Sequence, residues 1–270
     1  MKRLAVIVLS LLCLLSFAGQ GMAAESQISV SPDKVSVGLN FRGTDLDISG
    51  DVPDNAQVYI KITSPNDGIL DLSKKGKVSL FWMNVENASV TNVPKLYRVF
   101  TSRPLGEVPE KLQKELGIDK DYSSVYERAE VKKHSDSGSL TLGKSEAGEF
   151  VNSMVGVFSE GGLYGINEGG VQTDKGRFKA SLKLPANIPQ EECQVTAYFI
   201  KDGQVIGTSE KTFKVETVGV VKWLNDLAIY DGPSYGYMSV LIALLVGSAI
   251  AFLFIFMDNR KKPRLDSKAC

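Results

Sequence analysis

An apolar segment near the C-terminus constrains this chain more than any other feature of its sequence. Residues 238–257 contain no charged side chain. Twenty residues of α-helix rise about 30 Å, which is the thickness of the hydrocarbon core of a bilayer. Lipid offers the backbone no hydrogen-bond partners, so an apolar run of this length predicts a membrane-spanning helix.

Basic residues at both ends of the chain predict its orientation. The segment that follows the apolar run, residues 258–270, is rich in lysine and arginine. This composition predicts a cytoplasmic tail. Residues 1–23 combine two early basic residues, a short apolar run and small residues near Ala23, as a secretory signal does. Cleavage after Ala24 and an uncleaved N-terminal anchor remain alternatives. The prediction is a single-pass protein of the cytoplasmic (inner) membrane with a periplasmic or extracellular N-terminal domain.

Charge and cysteine content restrict what the exported region can do. The chain has 31 basic and 31 acidic residues, and the signal and tail hold a surplus of basic ones. The remaining exterior is therefore mildly acidic, which argues against nucleic acid or anionic lipid as its main partner. Cys193 is the one cysteine left outside, so no intramolecular disulfide is available there. We expect Cys193 to be a small buried side chain in a core held by packing.

Period-two alternation predicts a β-rich first part, residues 24–104. Short apolar–polar alternating runs recur about every ten residues and are separated by Pro, Gly, Asn and Asp. This pattern is typical of a β-sandwich. We expect residues 28–37 to form one strand with a kink at Pro32. We also expect Phe81 and Trp82 to supply a large buried area.

The spacing of apolar residues then changes from alternation to helical spacing and later returns to alternation. Residues 105–170 show helical spacing, which predicts a helical insertion that covers one side or end of the sandwich. Alternation resumes over 171–220, where Asp202-Gly203 predicts a tight hairpin. Residues 221–237 read as an interfacial juxtamembrane segment. The predicted fold is mainly β: an exported immunoglobulin-like antiparallel sandwich with a helical insertion, plus one C-terminal transmembrane helix.

A set of short motifs resembles a family of single-pass bacterial transmembrane proteins of uncharacterised function, first described from alphaproteobacteria. The motifs are FRGTDLDISG (41–50), FWMNVENASV and VPKLYRVFTSRPL (81–105), EGGLYGI (160–166), RFKASLKLPANIP (177–189) and AYFIKDGQVI (197–206). The resemblance runs from about Ile28 to Arg260. It is specific as a set, although each motif alone is weak.

The resemblance carries two implications. Family members commonly have Gly-x-Tyr after the LPANVP-like turn, whereas this chain has Glu191-Glu192-Cys193. Cys193 therefore stands where an aromatic residue is usual, which weakens any argument for a reactive thiol. The family is also similar in gene setting to components near sulfite-exporter-like permeases, which implies a multi-span permease as a partner.

Few residues of the exported region could support catalysis or metal binding. A transition-metal site draws on several His and Cys ligands, and the exterior has only His134 and Cys193. A Ser-His-Asp triad would need that same histidine, which lies in a polar stretch predicted to be a solvated loop. We therefore predict no catalytic, cofactor-binding or metal site.

Three clusters are candidates for contacts. Arg98, Ser102 and Arg103 lie where sheet and insertion meet and could bind a carboxylate, an oxyanion or a partner. The alternative is that they bridge structure at this junction. The lysines of residues 74–77 form a hairpin tip or contact an acidic partner. In the span, Ala243, Gly247 and Ala251 recur every four residues and form a candidate helix-association face for a homodimer or another span.

Three functions remain open after the sequence alone. The first is a non-enzymatic, membrane-anchored binding or accessory module of an envelope or transporter-associated complex. The second is a membrane-tethered hydrolase that uses carboxylates in a cleft at the sheet–insertion junction. The third is a structural envelope protein without a ligand.

Overall fold

The computed structural model describes residues 27–53, 55–135 and 138–261. The predicted signal peptide (1–23) and most of the predicted tail (262–270) lie outside these residues. The described chain is mainly β, as the alternation predicted. Its strands are β1 (Ile28–Ser31), β2 (Lys34–Val37), β3 (Thr44–Asp51), β4 (Gln57–Thr63), β5 (Leu70–Val78), β6 (Phe81–Thr91), β7 (Tyr97–Thr101), β8 (Glu130–Ser135), β9 (Gly138–Thr141), β10 (Tyr164–Asn167), β11 (Val171–Asp174), β12 (Arg177–Leu184), β13 (Glu192–Lys201) and β14 (Gln204–Thr217).

The helices occupy the middle of the chain and its C-terminal part. They are α1 (Glu110–Leu116), α2 (Ser123–Arg128), α3 (Lys144–Glu160), α4 (Gly219–Tyr230) and α5 (Gly232–Lys261), with a 3-10 turn at Leu105–Glu107. Gly117 ends α1 in the left-handed conformation, at φ 64°. Glycine adopts that conformation without steric cost, which explains the end of the helix.

The chain divides into two compact units. The first, called the body, comprises the described residues of Met1–Val35 and Phe41–Glu216. The second, called the anchor unit, comprises the described residues of Ser36–Asn40 and Thr217–Cys270.

Two sheets supply the core of the body. One is four-stranded in the order β1-β3-β12-β11, and the other is six-stranded in the order β10-β7-β4-β13-β14-β2. Every second side chain of β12 is buried, beginning at Phe178. The ring of Phe178 lies 6.1 Å from that of Phe199 on β13, so the apolar faces of the two sheets meet. Burial of these faces removes apolar surface from water and stabilises the body.

The pairing differs from the expected pattern at two places. Residues 28–37 were expected to form one kinked strand, but β1 belongs to the four-stranded sheet and β2 to the six-stranded sheet. The prediction of a single strand is wrong, because the chain changes sheets at Pro32. In addition, β10 runs parallel to β7, whereas the other pairs in these two sheets for which the register is resolved are antiparallel.

The tight hairpin at Asp202-Gly203 is confirmed. These two residues connect β13 to β14 between the paired residues Lys201 and Gln204. Both have positive φ, at 49° and 75°. Two successive positive φ values are the signature of the type I′ turn, whose twist matches that of the strands.

The region predicted as helical, residues 105–170, contains both helices and strands. It includes α1, α2 and α3, but β8 and β9 form a hairpin between α2 and α3. Only one residue of β8, Val131, is buried. A strand with one buried side chain has no visible alternation, which explains why the sequence pattern did not reveal it.

The hairpin β8–β9 joins β5 and β6 in a third sheet, in the order β5-β6-β8-β9. Strand β8 pairs with β6 only between Asn87 and Thr91. Among the described residues, no strand covers the outer half of the β5–β6 hairpin. Phe81 and Trp82 lie there and are 71% and 72% exposed. The prediction that they are buried is wrong, because their strand extends beyond the sheet that could have covered them.

The anchor unit contains the helix long and apolar enough to cross a membrane. This stretch of α5, Gly232–Met257, has 26 residues and includes the predicted span 238–257. Its length corresponds to about 39 Å at the α-helical rise per residue. The chain is thus a membrane-anchored single-pass protein. The short helix α4 occupies most of the predicted juxtamembrane segment. Just before it, the backbone N–H of Val218 donates to the carbonyl of Val37 at 3.0 Å, which joins the two segments of the anchor unit.

Truncation of a core leucine tests the packing of the two sheets. Leu46 on β3 is fully buried, whereas Leu140 on β9 is 67% exposed. We expect Leu46→Ala to lower the free energy of unfolding of the body by about 2–5 kcal/mol, because it leaves a cavity. Leu140→Ala is the matched control and should change it by less than about 0.5 kcal/mol. Denaturant titration of the full chain in detergent micelles measures both, and equal losses would contradict the assigned core.

Candidate functional site

A cleft of about 870 Å³ lies on the outer face of the six-stranded sheet. Its floor comes from β4, β13 and β14, and its wall comes from α1, α2 and the segment between them. All of these elements belong to the body. The cleft therefore lies where the sandwich meets the region predicted to be an insertion.

Alternation along the strands places polar side chains on the cleft floor. On β13, Val195, Ala197 and Phe199 point into the core, so the residues between them point the other way. The cross-strand register then builds two polar rows. One row is Lys61, Thr196 and Glu210, and the other is Thr63, Gln194 and Thr212. Neighbouring strands lie about 4.8 Å apart, so each row presents three side chains within about 10 Å.

Lys61 is the central cation of the floor. Its ammonium group donates a hydrogen bond to the carbonyl of Leu116, the last residue of α1, at 2.6 Å. It also lies 5.4 Å from the centroid of the Tyr198 ring. Burial lowers the pKa of Lys61, and the nearby guanidinium of Arg128 lowers it further, while the carboxylate of Glu210 opposes both effects. The site thus holds a partly desolvated positive charge.

Tyr97 fastens the wall of the cleft to the sheet. Its hydroxyl donates to the carbonyl of Gly117 and lies 3.1 Å from the hydroxyl oxygen of Ser124. A Cβ at Gly117 would come within 2.8 Å of that phenol oxygen, so the close approach requires glycine. Burial raises the pKa of Tyr97 to about 12, which keeps the phenol neutral and able to donate. Its ring packs edge-on against Tyr122, with centroids 5.6 Å apart.

The cleft carries charges of both signs. Beside Lys61 it has two further cations, Lys114 and Arg128. Its carboxylates are Glu115, Glu127, Glu192 and Glu210. Glu210 accepts a hydrogen bond from the amide of Gln194 at 2.7 Å. Hydroxyls, an amide and both charges in one concavity suit a polar ligand or a peptide segment.

Arg98 forms hydrogen bonds that bridge two segments of the body. Its guanidinium donates to the carbonyl of Gly162 at 3.0 Å and to the side chain of Asn167 at 3.2 Å. It thereby ties β7 to the chain around β10. Burial lowers the pKa of Arg98, and its Nε is buried without a hydrogen-bond partner.

The other two residues of the predicted contact cluster lie at the end of β7. The hydroxyl of Ser102 accepts a hydrogen bond from the backbone N–H of Val58 at 2.9 Å. Arg103 is exposed. Four residues of strand, about 13 Å, separate Ser102 from Arg98. The three residues are thus spread along one strand and its end, and an anion or partner contact by them stays a prediction.

His134 lies in a strand rather than in the expected loop. It belongs to β8, and its Nε2 is 2.6 Å from the hydroxyl of Ser89, which also donates to the carboxylate of Asp71 at 2.7 Å. Its Nδ1 is 2.9 Å from the hydroxyl of Ser139. Ser89 stands between His134 and Asp71, so this chain of hydrogen bonds does not have the order of a Ser-His-Asp triad.

The candidate association face lies on one continuous helix. Ala243, Gly247 and Ala251 are all within α5 and exposed. Their four-residue spacing puts them on one side of the helix. Association through this face stays a prediction.

The hydrolase alternative predicted a cleft at the junction of sheet and insertion, but the sequence did not identify the residues that form it. The polar residues of β13 alternate with its apolar ones, but alternation identifies an outer face and not which outer face is concave. The wall comes from residues far along the chain, and only the fold brings it over the sheet.

Comparison with known proteins agrees with the predicted resemblance. Residues 26–255 match the family described as "Putative transmembrane protein (Alph_Pro_TM)". The chain belongs to this family. No curated protein and no solved structure matches this chain. The family match covers the described residues of the body and nearly all of the apolar stretch of α5. The body and the span are therefore both features of this family.

The pH dependence of amine modification tests the environment of Lys61. We expect the modification of Lys61 to rise with a midpoint below the ordinary lysine value of 10.5, because burial disfavours its charged form. Lys114 is the control within the same cleft, since its hydrogen bond to Glu110 raises its pKa above 10.5. Mass spectrometry of labelled full-length protein measures both profiles. A Lys61 midpoint at or above that of Lys114 would overturn this description of the cleft.

Replacement of Arg98 tests whether it bridges structure. Arg98→Met removes two hydrogen bonds from a charged donor, and we expect a loss of about 2–4 kcal/mol in the free energy of unfolding. Arg103→Met, at the exposed position, should change it by less than about 0.5 kcal/mol. Denaturant titration of the full chain compares the two. A stable Arg98→Met variant would show that the guanidinium is not a bridge and would restore it as a candidate contact residue.

Proposed function

We propose that this protein is a non-enzymatic, membrane-anchored binding or accessory module of an envelope or transporter-associated complex. The observation that carries the proposal is the polar cleft around Lys61. Its volume of about 870 Å³ is in the range of natural ligand sites. It is built on paired strands, which hold side chains more rigidly than loops do.

The state of Lys61 favours binding. A half-buried ammonium costs free energy unless partners compensate it, and burial lowers the pKa of Lys61 in spite of the nearby carboxylate of Glu210. One of its three N–H donors is used by Leu116, which leaves donors for an acceptor on a ligand. An incoming carboxylate or carbonyl would supply that acceptor. We therefore propose that the cleft binds an extended peptide segment or a small polar ligand through an oxygen atom at Lys61.

The proposed topology places the body on the outer side of the cytoplasmic membrane. Its support is the basic tail after the span and the signal-like residues 1–23, both read from the sequence. On this topology the cleft faces the periplasm or the extracellular space. A multi-span permease, such as a sulfite-exporter-like protein, is the proposed partner, and it rests on the family resemblance alone.

A membrane-tethered hydrolase is the second candidate. The observation in its favour is that carboxylates, including Glu192 and Glu210, line the cleft at the junction of sandwich and insertion. Catalysis by two carboxylates needs one of them aimed at the substrate as acid or base. Glu210 is instead held by the amide of Gln194. We rank this candidate second for that reason.

Purification of the complex in mild detergent tests the leading proposal. We expect the full-length mature protein to retain a multi-span membrane protein. Lys61→Met should weaken this association by about tenfold or more, the effect of one lost hydrogen bond to a charged group. Lys179→Met is the matched control, because Lys179 is exposed on β12 of the other sheet. Retention of the complex by Lys61→Met would reject the cleft as the binding site, and substrate turnover by the isolated protein would support the hydrolase.

A further inference from the structure

The outer half of the β5–β6 hairpin, residues 75–85, is here called the hairpin tip. Strand β5 is an edge strand of the third sheet, and β8 reaches along β6 only to Asn87. Among the described residues, the hairpin tip is therefore a two-stranded ribbon with no neighbouring strand. A two-stranded hairpin alone is at best marginally stable in water.

The hairpin tip carries large apolar side chains at its end and on both faces. Leu80 is 82% exposed, and the rings of Phe81 and Trp82 are nearly as exposed. Phe81 pairs with Val78 across the hairpin, so the two share one face. Trp82 lies on the opposite face. A contiguous group of large exposed apolar side chains marks an interaction surface.

Lysines follow directly behind this apolar end. Lys77 pairs with Trp82 and Lys75 pairs with Asn84, so both lysines lie on the face of Trp82. Neither lysine has an ion-pair partner within the described part of the chain. The nearest acidic residue along the hairpin is Glu86, whose carboxylate is already 3.0 Å from Lys133. The hairpin tip thus combines an apolar end with uncompensated positive charge.

We propose that the hairpin tip inserts into the headgroup layer of the bilayer that holds α5. Amphipathic rings favour this layer, and lysine side chains can extend from an apolar surface to the phosphates. A protein partner docked on one face would leave the aromatic ring of the other face in water. Lipid, being fluid, surrounds a narrow ribbon on both faces and at its end. The large apolar side chains on both faces of the hairpin tip therefore favour lipid as the occupant.

Short connections join the body to the helix that spans the bilayer. Only Val218 separates β14 from α4, and only Asp231 separates α4 from α5. A short connection gives the body a high effective concentration near the membrane, so a modest affinity for lipid suffices. The exported region is mildly acidic as a whole, but charges farther from the phosphates than about 10 Å are largely screened. The local lysines therefore determine the electrostatics at the hairpin tip.

Quenching of Trp82 by brominated lipid tests the proposal. The chain has two tryptophans, and Trp223→Phe leaves Trp82 as the sole emitter. The full-length variant is reconstituted in nanodiscs of phosphatidylcholine and phosphatidylglycerol, with or without bromine near the headgroup end of the acyl chains. We expect roughly a twofold loss of Trp82 emission with bromine, because insertion at interfacial depth brings the ring to the quencher.

Two further variants identify the part of the body that responds. Leu80→Ser in the same background should remove most of the quenching, because it makes the end of the hairpin tip polar. Leu140→Ser is the matched control on the adjacent hairpin β8–β9 and should leave the quenching unchanged. Trp82→Phe in the wild-type background measures the signal of Trp223 separately, so the conclusion does not depend on the folding of one variant.

Three outcomes would overturn the proposal. Equal Trp82 emission in brominated and ordinary nanodiscs would show that the ring does not contact lipid. Quenching only after brominated vesicles are added to ordinary nanodiscs would show contact with a second membrane instead of the anchoring one. Emission that depends on the number of protein copies per disc, without quenching by bromine, would show that another copy of the chain covers the hairpin tip.

Discussion

The alternation of side chains along β13 is the constraint on which both the core and the cleft depend. One face of this strand packs into the sandwich, and the other forms the middle of the cleft floor. A slip of one residue in its pairing would turn the hydroxyl of Thr196 into the core and Val195 towards the cleft, so the register is determined by the cost of that exchange. The tight turn at Asp202-Gly203 sets the pairing of β13 with β14 next to the turn, and an irregularity between Phe199 and Ile200 shifts the register beyond it. Core packing therefore also places Lys61 and Glu210 in one row, on either side of Thr196.

No disulfide joins the described residues of the body, so non-covalent contacts hold it together. Cys193 is fully buried in β13, and burial raises the pKa of its thiol to about 12, so it behaves as a small apolar side chain. The wall of the cleft is attached to the sheet by aromatic contacts and by the hydrogen bond from Tyr97 to Gly117. Such contacts join residues that are distant in sequence. They hold the wall in place over the sheet.

The body has two surfaces, the cleft and the hairpin tip, whose exposed groups suit a partner outside the chain. The cleft has a partly desolvated cation and polar side chains that suit a soluble ligand or peptide. The hairpin tip has exposed aromatic rings that suit lipid. They lie on different elements of the body, since the cleft floor is formed by β4, β13 and β14 and the hairpin tip by β5 and β6. We propose the cleft for recognition and the hairpin tip for contact with the bilayer.

The sequence by itself determined the apolar span, the β-rich body, the Asp202-Gly203 turn and membership of the family. These properties depend on local composition and periodicity, which residues close in sequence specify. Only the tertiary structure separated β1 from β2, placed His134 in a strand and exposed Phe81 and Trp82. It also brought α1 over Lys61 to make the cleft. Each of these outcomes depends on which distant segments become neighbours, and a periodic pattern shows that a side chain has a buried or an outer face but not what covers it.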